Sequence, residues 1–229
     1  MNKLIICVKS CQRDLERGDH HTIRQTWGKD AKAAGIDVRF FVGASDLKNR
    51  YEPDEVAVNA DDDYRHLPFK TREICKWASA KVLNHVFLCD TDTYVSIKYL
   101  LTCHYEQYDY MGMMPRPIGK TFQYSDDDCE GVRQHWDRCY TWASGGVGYF
   151  LSKKALTEVA YAFPNIWAED MWVGQVLGPL QAIGEINCMN TRENNYTGNI
   201  FSWHFPKAEF GEPYNGANGW MWNMHKQAR

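Results

Sequence analysis

The sequence lacks any long apolar stretch and any surplus of positive charge. Its longest purely apolar runs, such as Leu4-Ile5-Ile6-Cys7-Val8, are far shorter than the roughly 20 residues that a membrane-spanning helix needs. That first run is also too short for a signal peptide and has no small-residue cleavage site after it. Lys and Arg number 26 against 29 Asp and Glu, so bulk attraction to nucleic acid or anionic lipid is not expected. We therefore expect no transmembrane segment, no export signal and no nucleic-acid partner.

Closely spaced cysteine pairs and internal repeats are missing as well. The 8 Cys residues are scattered and none forms a C-x-x-C pair, which disfavours a zinc knuckle or a thioredoxin-type site. We interpret most of them as buried thiols in a reducing compartment. Cys129 and Cys139, which flank a loop, are the pair expected to oxidise if any pair does. With no repeat and no linker, the 229 residues predict a single domain.

Short apolar runs alternate with helical patterns along the chain. This alternation predicts an α/β fold with a mixed, mostly parallel central sheet flanked by helices. Strands are predicted at Lys3–Lys9, Asp37–Gly43, Val56–Asn59, Val86–Asp90, Tyr110–Met114 and Gly148–Leu151. Helices are predicted at Thr22–Ala34, Leu67–Val82, Ala168–Leu180, from a Ser96 cap to about Tyr108 and from a Ser152 cap to about Ala162. The tail from about Asn199 is expected to wrap the surface as a lid or strap.

Two carboxylates follow the most apolar of these strands. Asp90 and Asp92 stand two residues apart, and strand periodicity would point both side chains the same way at the carboxyl edge of the sheet. Converging oxygen ligands suit a hard cation such as Mg²⁺ or Mn²⁺, which can neutralise a departing diphosphate. The alternative is that both acids only end the strand and cap the following turn.

A series of segments, read in order, resembles the β1,3-galactosyltransferase and Fringe family of inverting glycosyltransferases. They extend from the first strand to about residue 206, which is nearly the whole chain. The matching segments are VKS at 8–10, TIRQTWG at 22–28, FFVG at 40–43, DDDYRHLPFKT at 61–71, DTDTYV at 90–95, GGVGYFLS at 145–152, EDMWVG at 169–174 and WHFP at 203–206. Thr91 departs from the family, which has an acid at that position.

The resemblance implies a GT-A-like fold of one domain, 1–229. Its nucleotide-binding half would be about 1–95 and its acceptor and catalytic half about 96–229. The implied cofactor is Mn²⁺ or Mg²⁺, bound by Asp90, Asp92 and His204. Without the resemblance, a histidine between two aromatic residues would be interpreted as part of the core.

Asp170 matches the catalytic base of the family. In an inverting transfer the acceptor hydroxyl must lose its proton as the new bond forms, and one carboxylate opposite the leaving group can take it. A helix N-terminus at this position would keep the carboxylate ionised. The alternative is that Glu169 and Asp170 are ordinary acids of a first helical turn.

The remaining site residues are also implied by the resemblance, with surface charge, capping or simple turns as the alternatives. Nucleotide-sugar contacts would come from Lys9, Ser10, Arg24, Asp63, Lys70, Asp90 and Thr91. The donor and acceptor cleft would include Gly145, Gly146, Glu169 and Trp203.

The expected activity is metal-dependent transfer of a hexose from a UDP-sugar to a hydroxyl of a glycan or glycoprotein, forming a β1,3-type linkage. A nucleotide-sugar hydrolase and a nucleotide-sugar-binding pseudoenzyme are the alternatives on the same fold. Animal members of the family carry a membrane anchor and a stem, which are absent here. We therefore expect a soluble, cytoplasmic protein, bacterial or viral (in the host cytoplasm if viral), or one module of a larger protein.

Overall fold

The computed structural model describes residues 4–44, 52–113, 142–178, 183–185, 189–190, 202–204 and 216–228. For 183–185, 189–190, 203–204 and 216–219 the description covers the backbone. The strands among these residues are β1 Leu4–Lys9, β2 Asp37–Gly43, β3 Glu55–Val58, β4 His85–Asp90, β5 Thr93–Val95, β6 Tyr110–Gly112, β7 Tyr149–Ser152, β8 Ile183–Glu185, β9 Met189–Asn190 and β10 Ser202–His204.

Seven of these strands form the main sheet, in the order β3-β2-β1-β4-β7-β6-β8. β7 is antiparallel to both of its neighbours, whereas the other paired strands run parallel. A small second sheet has the order β5-β10-β9. The predicted mixed, mostly parallel α/β fold is therefore confirmed.

Helices cover both faces of the main sheet. The α-helices in the described part of the chain are α1 Gln12–Glu16, α2 Asp19–Gln25, α3 Trp27–Ala33, α4 Leu67–Ser79, α5 Ile97–Leu100, α6 Lys153–Tyr161, α7 Glu169–Leu177 and α8 Gly216–Gln227. A search of the described helices finds none with the length and apolar character to cross a membrane.

The central strand β1 explains why the core has two halves. Its six residues are all buried, as expected for a strand covered on both faces. Leu4, Ile6 and Val8 pack into one apolar cluster, and Ile5 and Cys7 pack into the other. The period of two along this strand therefore builds the core on both sides of the sheet.

The predicted helix Thr22–Ala34 is wrong in its extent, because the chain breaks into α2 and α3 at Thr26. Thr26 has φ −108° and ψ −118°, outside the helical region. Its hydroxyl donates to the carbonyl of Thr22 at 2.7 Å. A local hydrogen bond of this kind competes with the regular helical ladder.

The predicted helix from Ser96 to Tyr108 is also shorter in the structure. After α5 the chain turns at His104, whose φ of 57° is left-handed, and forms a 3-10 turn over Tyr105–Gln107. The Ser152 cap, in contrast, is confirmed, since its hydroxyl accepts the backbone N–H of Ala155 at 3.2 Å.

The described parts of the tail belong to the body of the fold, which corrects the expectation of a lid or strap. β10 lies between β5 and β9. In α8, Trp220, Met221 and Met224 are buried in the same apolar cluster as Leu4 and Ile6. Burial of these large side chains makes α8 part of the core.

Five cysteines fall in the described ranges, and each is a thiol that forms no disulfide bond: Cys7, Cys11, Cys75, Cys89 and Cys103. Burial raises the pKa of Cys7, Cys75 and Cys89 well above the ordinary thiol value, which makes them poor nucleophiles. The suspected pair, Cys129 and Cys139, lies outside the described residues.

Gly148 is expected to be irreplaceable for packing reasons. Its φ is +88°, and a Cβ there would lie 2.4 Å from Phe87 Cζ and 2.6 Å from the Leu88 carbonyl oxygen. We expect Gly148→Ala to lower the free energy of unfolding by about 2–4 kcal/mol, from backbone strain plus the clash. Gly35→Ala is the matched control, because Gly35 has φ +74° but open space around it. That variant should lose only about 1 kcal/mol in urea denaturation, and equal losses would contradict the packing argument.

Candidate active site

A cleft of about 500 Å³ opens at the carboxyl ends of β1 and β4, within the usual range for a ligand site. Parallel α/β sheets commonly bind ligands at this edge. The cleft is lined by Lys9, Ser10, Cys11, Arg13, Asp14, Asp62, Asp63, Tyr64, Leu67, Lys70, Asp90, Asp92 and Gly146. Seven of the sequence-predicted site residues are in this set, and they come from segments up to 137 residues apart (9 to 146).

Asp90 and Asp92 both line the cleft, although strand periodicity is not the reason. β4 ends at Asp90, and Asp92 belongs to a turn before β5. The Asp90 side chain is 27% exposed, whereas Asp92 is buried. The buried Trp27 stabilises this turn, because its indole N–H donates to the carbonyl of Thr93 at 3.0 Å.

Thr91, a predicted nucleotide contact, is not among the residues that line the cleft. Its buried hydroxyl donates to a carboxylate oxygen of Asp14 at 2.9 Å, and Arg17 pairs with the same carboxylate. A second acid at position 91 would place two carboxylates against each other in a buried site. The Asp14 contact therefore gives a physical reason for a threonine at this position.

The strand pairing of β10 brings the predicted histidine back to the acidic turn. His204 is paired with Thr93, and Trp203 with Tyr94, in antiparallel register. Position 204 therefore lies opposite the residue that follows Asp92. The side chains of Trp203 and His204 are outside the described part of the structure.

Lys9, which lines the cleft, forms a buried ion pair with Glu169, which lies behind it. Lys9 Nζ lies 3.1 Å from Glu169 Oε2 and 3.3 Å from Asp90 Oδ1. Burial opposes the charge of Lys9, but Asp90 and Glu169 more than offset it and raise its pKa. Glu169 also accepts the hydroxyls of Thr71, at 2.8 Å, and Tyr149. These contacts place Glu169 behind the cleft as a support for the start of α7.

Asp170 is the second residue of α7 and carries a perturbed carboxyl group. Burial first, and then the negative charge of Glu169, raise its pKa from 3.8 to about 6. The backbone N–H groups of Gly145, at 3.2 Å, and Met171, at 2.8 Å, oppose this rise but do not cancel it. The helix terminus therefore does not keep the pKa of Asp170 at its ordinary value, although a carboxyl group with a pKa of about 6 is still mostly ionised at pH 7. A carboxylate with a pKa near neutrality is a better proton acceptor than an ordinary aspartate.

Two glycines connect the parts of the site. Gly145 donates its N–H to Asp170, and a Cβ on Gly145 would lie 3.0 Å from Glu169 Oε2. The carbonyl of Gly146 accepts the Thr93 hydroxyl at 2.7 Å. This glycine turn therefore joins the acidic turn after β4 to the start of α7.

Lys70 and Asp63 have different surroundings. Lys70 is buried and pairs with Asp62, and its Nζ also donates to the Ser10 carbonyl at 2.5 Å. Asp62 accepts the N–H groups of Gln12, at 3.0 Å, and Gly43, at 2.7 Å. Asp63 is exposed and caps a 3-10 turn, where it contacts His66. Lys70, Asp62 and Asp63 all line the cleft. Of the two acids, Asp62 is the one that connects different segments of the cleft wall.

Arg24 lies outside the residues that line the cleft. Its guanidinium group binds Asp54 through two hydrogen bonds of 2.9 and 2.7 Å, and Glu55 through one of 2.7 Å. Glu55 in turn contacts His20, which contacts Ser10 at the cleft wall. The structure therefore relates Arg24 to the cleft through other side chains.

Sequence reasoning missed Asp14, His20, Glu55 and Asp62. Asp14 lies in α1 and His20 in α2, and both precede the helix that the sequence predicts from Thr22. Asp62 lies in a run of three aspartates, 61–63. Only the folded structure shows that Asp62 is the one whose side chain pairs with the buried Lys70. Polar residues clustered just after β1 were the available signal, because that edge of the sheet faces the ligand.

A group of three possible metal ligands lies at the edge of the cleft. Asp61, Asp63 and His66 have ligand atoms within 4.8 Å of one another among the residues that the structure describes. All three side chains are exposed, between 44% and 64%. This arrangement is common on surfaces without a metal ion.

Comparisons with known proteins identify the family of this chain. The family model of galactosyltransferases matches residues 19–188, which is more than half of the chain. No curated protein sequence matches.

Two solved structures share the fold. One is a glycosyltransferase involved in the glycosylation of the major capsid of PBCV-1, with 11% identity, a TM-score of 0.51 and coverage of 96% of this chain and 98% of that one. Another is the galactosyltransferase LgtC in complex with donor and acceptor sugar analogues, with 14% identity, a TM-score of 0.51 and coverage of 97% and 95%. At these identities the likeness supports the GT-A-like fold alone. The family match and the shared fold lead to one conclusion: this chain is a glycosyltransferase and belongs to the galactosyltransferase family.

Proposed function

We propose that the protein transfers a hexose from a UDP-sugar to a glycan hydroxyl with inversion, in a metal-dependent reaction catalysed by Asp170. The observation that carries this proposal is the position of Lys9, whose amine contacts both Asp90 and Glu169. Lys9 therefore connects Asp90, an acid of the donor cleft, to Glu169, the residue that precedes the proposed base Asp170. The donor acids and the base therefore belong to one connected site.

The donor diphosphate is proposed to bind beside Asp90 and Asp92. The residues here suit a hard divalent ion such as Mn²⁺ or Mg²⁺, because two carboxylates line one cleft and the backbone of His204 runs beside the same turn. Asp90, Asp92 and His204 would hold the ion. When bound, it would supply positive charge against the departing diphosphate.

Asp170 is proposed to act on the acceptor. The acceptor oxygen forms a bond to the anomeric carbon while the bond from that carbon to the diphosphate oxygen breaks. The hydroxyl proton passes to Asp170, whose raised pKa of about 6 favours accepting it while leaving the group largely ionised at pH 7. The motif resemblance extends the proposal to a β1,3-type linkage and a glycan or glycoprotein acceptor, which product analysis would test.

Isothermal titration of UDP, with Mn²⁺ and again with EDTA, tests the donor site. We expect binding that requires the metal and weakens at least about a hundredfold in Asp92→Asn, because one of the proposed ligands is lost. Asp30→Asn is a suitable control, since Asp30 lies in α3 outside the cleft. Equal UDP affinity with EDTA and with Mn²⁺ would contradict metal dependence.

The same protein distinguishes transfer from hydrolysis. If UDP-sugar turnover needs an added glycan acceptor, the transferase proposal is supported. Turnover at the same rate with water alone would favour a nucleotide-sugar hydrolase. Metal-dependent UDP binding with no turnover of any donor would favour a nucleotide-sugar-binding protein instead.

A further inference from the structure

Three buried polar side chains form a chain of hydrogen bonds that begins at the cleft wall. Ser10 Oγ lies 2.6 Å from His20 Nε2, and His20 Nδ1 lies 2.9 Å from Glu55 Oε1. Ser10 lines the cleft, whereas His20 and Glu55 lie behind it. The proposed transfer reaction uses neither His20 nor Glu55.

The Glu55 end determines the direction of these hydrogen bonds. Glu55 accepts from Arg24 at 2.7 Å and from the backbone N–H of Glu52 at 3.2 Å. Burial opposes ionisation of Glu55, but its hydrogen bonds from His20 and Arg24 prevail and lower its pKa. An ionised carboxylate only accepts hydrogen bonds, so His20 Nδ1 must carry the proton.

His20 is then the neutral tautomer with a lone pair on Nε2. Burial lowers the pKa of this imidazole, which keeps it neutral at pH 7. The ring is held in place by stacking on Phe40, with centroids 4.2 Å apart and planes 22° apart. Nε2 is therefore an acceptor that faces Ser10 in a fixed orientation.

The hydroxyl of Ser10 consequently donates its single proton to His20. A second, longer contact joins Ser10 Oγ to the carbonyl of Cys11 at 3.4 Å, and this partner is also an acceptor. Among the described residues, no N–H or O–H group donates to Ser10 Oγ. The oxygen thus presents only lone pairs to a ligand in the cleft.

The sheet topology indicates which part of the donor Ser10 meets. Asp90 ends β4, on one side of β1, whereas Ser10 pairs with β2 through its N–H to the Phe41 carbonyl at 3.0 Å. Glu55, at the start of β3, is farther still on that side. Ser10 follows Lys9, whose amine contacts Asp90, and it lies on the β2 side of that contact. The nucleoside would lie on this side of the cleft, next to the diphosphate.

We infer that Ser10 Oγ accepts a hydrogen bond from an N–H or O–H group of the donor nucleoside, and that His20 and Glu55 are positioning residues that fix this polarity. The inference rests on the proposed nucleotide-sugar donor. Its consequence is base selection, because uracil offers an N–H at N3 where cytosine offers a lone pair. A ribose hydroxyl is the other group of the nucleoside that could donate this hydrogen bond to Ser10 Oγ.

Titrations of UDP, CDP, 2′-deoxy-UDP and 3′-deoxy-UDP into wild type and Ser10→Ala, with Mn²⁺ present, separate these sources. If the base is the partner, UDP should bind about tenfold or more tightly than CDP, and Ser10→Ala should reduce this ratio to about threefold or less. If a ribose hydroxyl is the partner, wild type should bind UDP about tenfold more tightly than the deoxy analogue that lacks this hydroxyl. Ser10→Ala should bind the two nucleotides with similar affinity. Ser96→Ala is the matched control, because Ser96 is a buried serine outside the cleft.

His20→Leu and His20→Gln test the positioning role. In His20→Leu the Ser10 proton is free to turn toward the ligand, so CDP should bind more tightly than in wild type while UDP binds less tightly. His20→Gln keeps a carbonyl acceptor for Ser10 and should restore part of the selectivity. A merely structural role would weaken all four nucleotides by the same factor, which would overturn the inference.

Nitrogen-15 spectra of His20 in the nucleotide-free protein provide a readout that does not depend on binding. The inference requires protonation at Nδ1 at pH 7, and a proton on Nε2 would overturn it. Unchanged nucleotide selectivity in Ser10→Ala, with metal-dependent UDP binding intact, would reject the role of Ser10 and leave the proposed donor site standing. Absence of any nucleotide binding would reject both.

Discussion

Asp170→Asn is expected to lower the transfer rate by about a hundred- to ten-thousand-fold, the usual contribution of a general base. The amide cannot accept the acceptor's proton, but it can occupy the same space beside Gly145 and Met171. UDP affinity should therefore change little, because Asp170 is not among the residues that line the donor cleft. Steady-state kinetics and UDP titration on the same preparation would measure both effects.

The pH dependence of the wild-type enzyme should report the same group. With a pKa of about 6 in the folded protein, kcat/KM should fall as the pH drops below 6, because the protonated carboxyl cannot act as a base. A profile that stays flat down to pH 4.5 would contradict the assignment of Asp170.

Protein stability gives a second test of the raised pKa. The folded pKa lies above the unfolded value of 3.8, so the stability that Asp170 contributes is fully present below pH 3.8 and is lost as the pH rises through 6. Asp170→Asn should therefore raise the free energy of unfolding at pH 7, by up to about 3 kcal/mol, and the difference from wild type should vanish near pH 3.5.

Asp109→Asn is the matched control for the sign of this effect. Burial opposes its ionisation, but hydrogen bonds from Ser152 and Lys154 prevail and lower the pKa of Asp109. Its contribution is present above pH 3.8 and is lost as the pH falls, so Asp109→Asn should destabilise the protein at pH 7. Its catalytic rate should match wild type, since Asp109 lies outside the cleft.

Lys9→Met is expected to lower the free energy of unfolding by about 3–5 kcal/mol, because it leaves Glu169 as a buried charge without its cation. Lys9 and Glu169 both have side chains at most 3% exposed. Donor binding should weaken too, since Asp90 loses the same partner. Chemical denaturation at pH 7 measures the first effect and UDP titration the second.

Two further variants distinguish the buried pair from an ordinary one. Lys154→Met removes a similar amine, which lies 3.1 Å from Asp109 on a side chain that is 62% exposed. This variant should lose less than about 1 kcal/mol of stability. Lys9→Met combined with Glu169→Gln should be more stable than Lys9→Met alone, because the uncompensated charge is gone. If Lys9→Met and Lys154→Met lose the same stability, the buried pair has no special role.

Local patterns in the sequence determined the framework of this protein. The apolar run of β1 and the strand Asp37–Gly43 were predictable because a short, continuous apolar run indicates a strand buried on both faces. The Ser152 cap was predictable because its partner is three residues away. Asp90 and Asp92 could be assigned to the ligand-binding edge, because they follow the central strand β4.

The tertiary structure alone decided which polar groups meet. Thr91 contacts Asp14 across 77 positions and Lys9 contacts Glu169 across 160, and no short-range pattern encodes such pairs. His204 reaches the acidic turn through the register of β10 with β5. The pKa of Asp170 follows from burial and from Glu169, not from its place in the helix. Periodicity and capping act within a few residues, whereas desolvation and ion pairing depend on strands that only folding brings together.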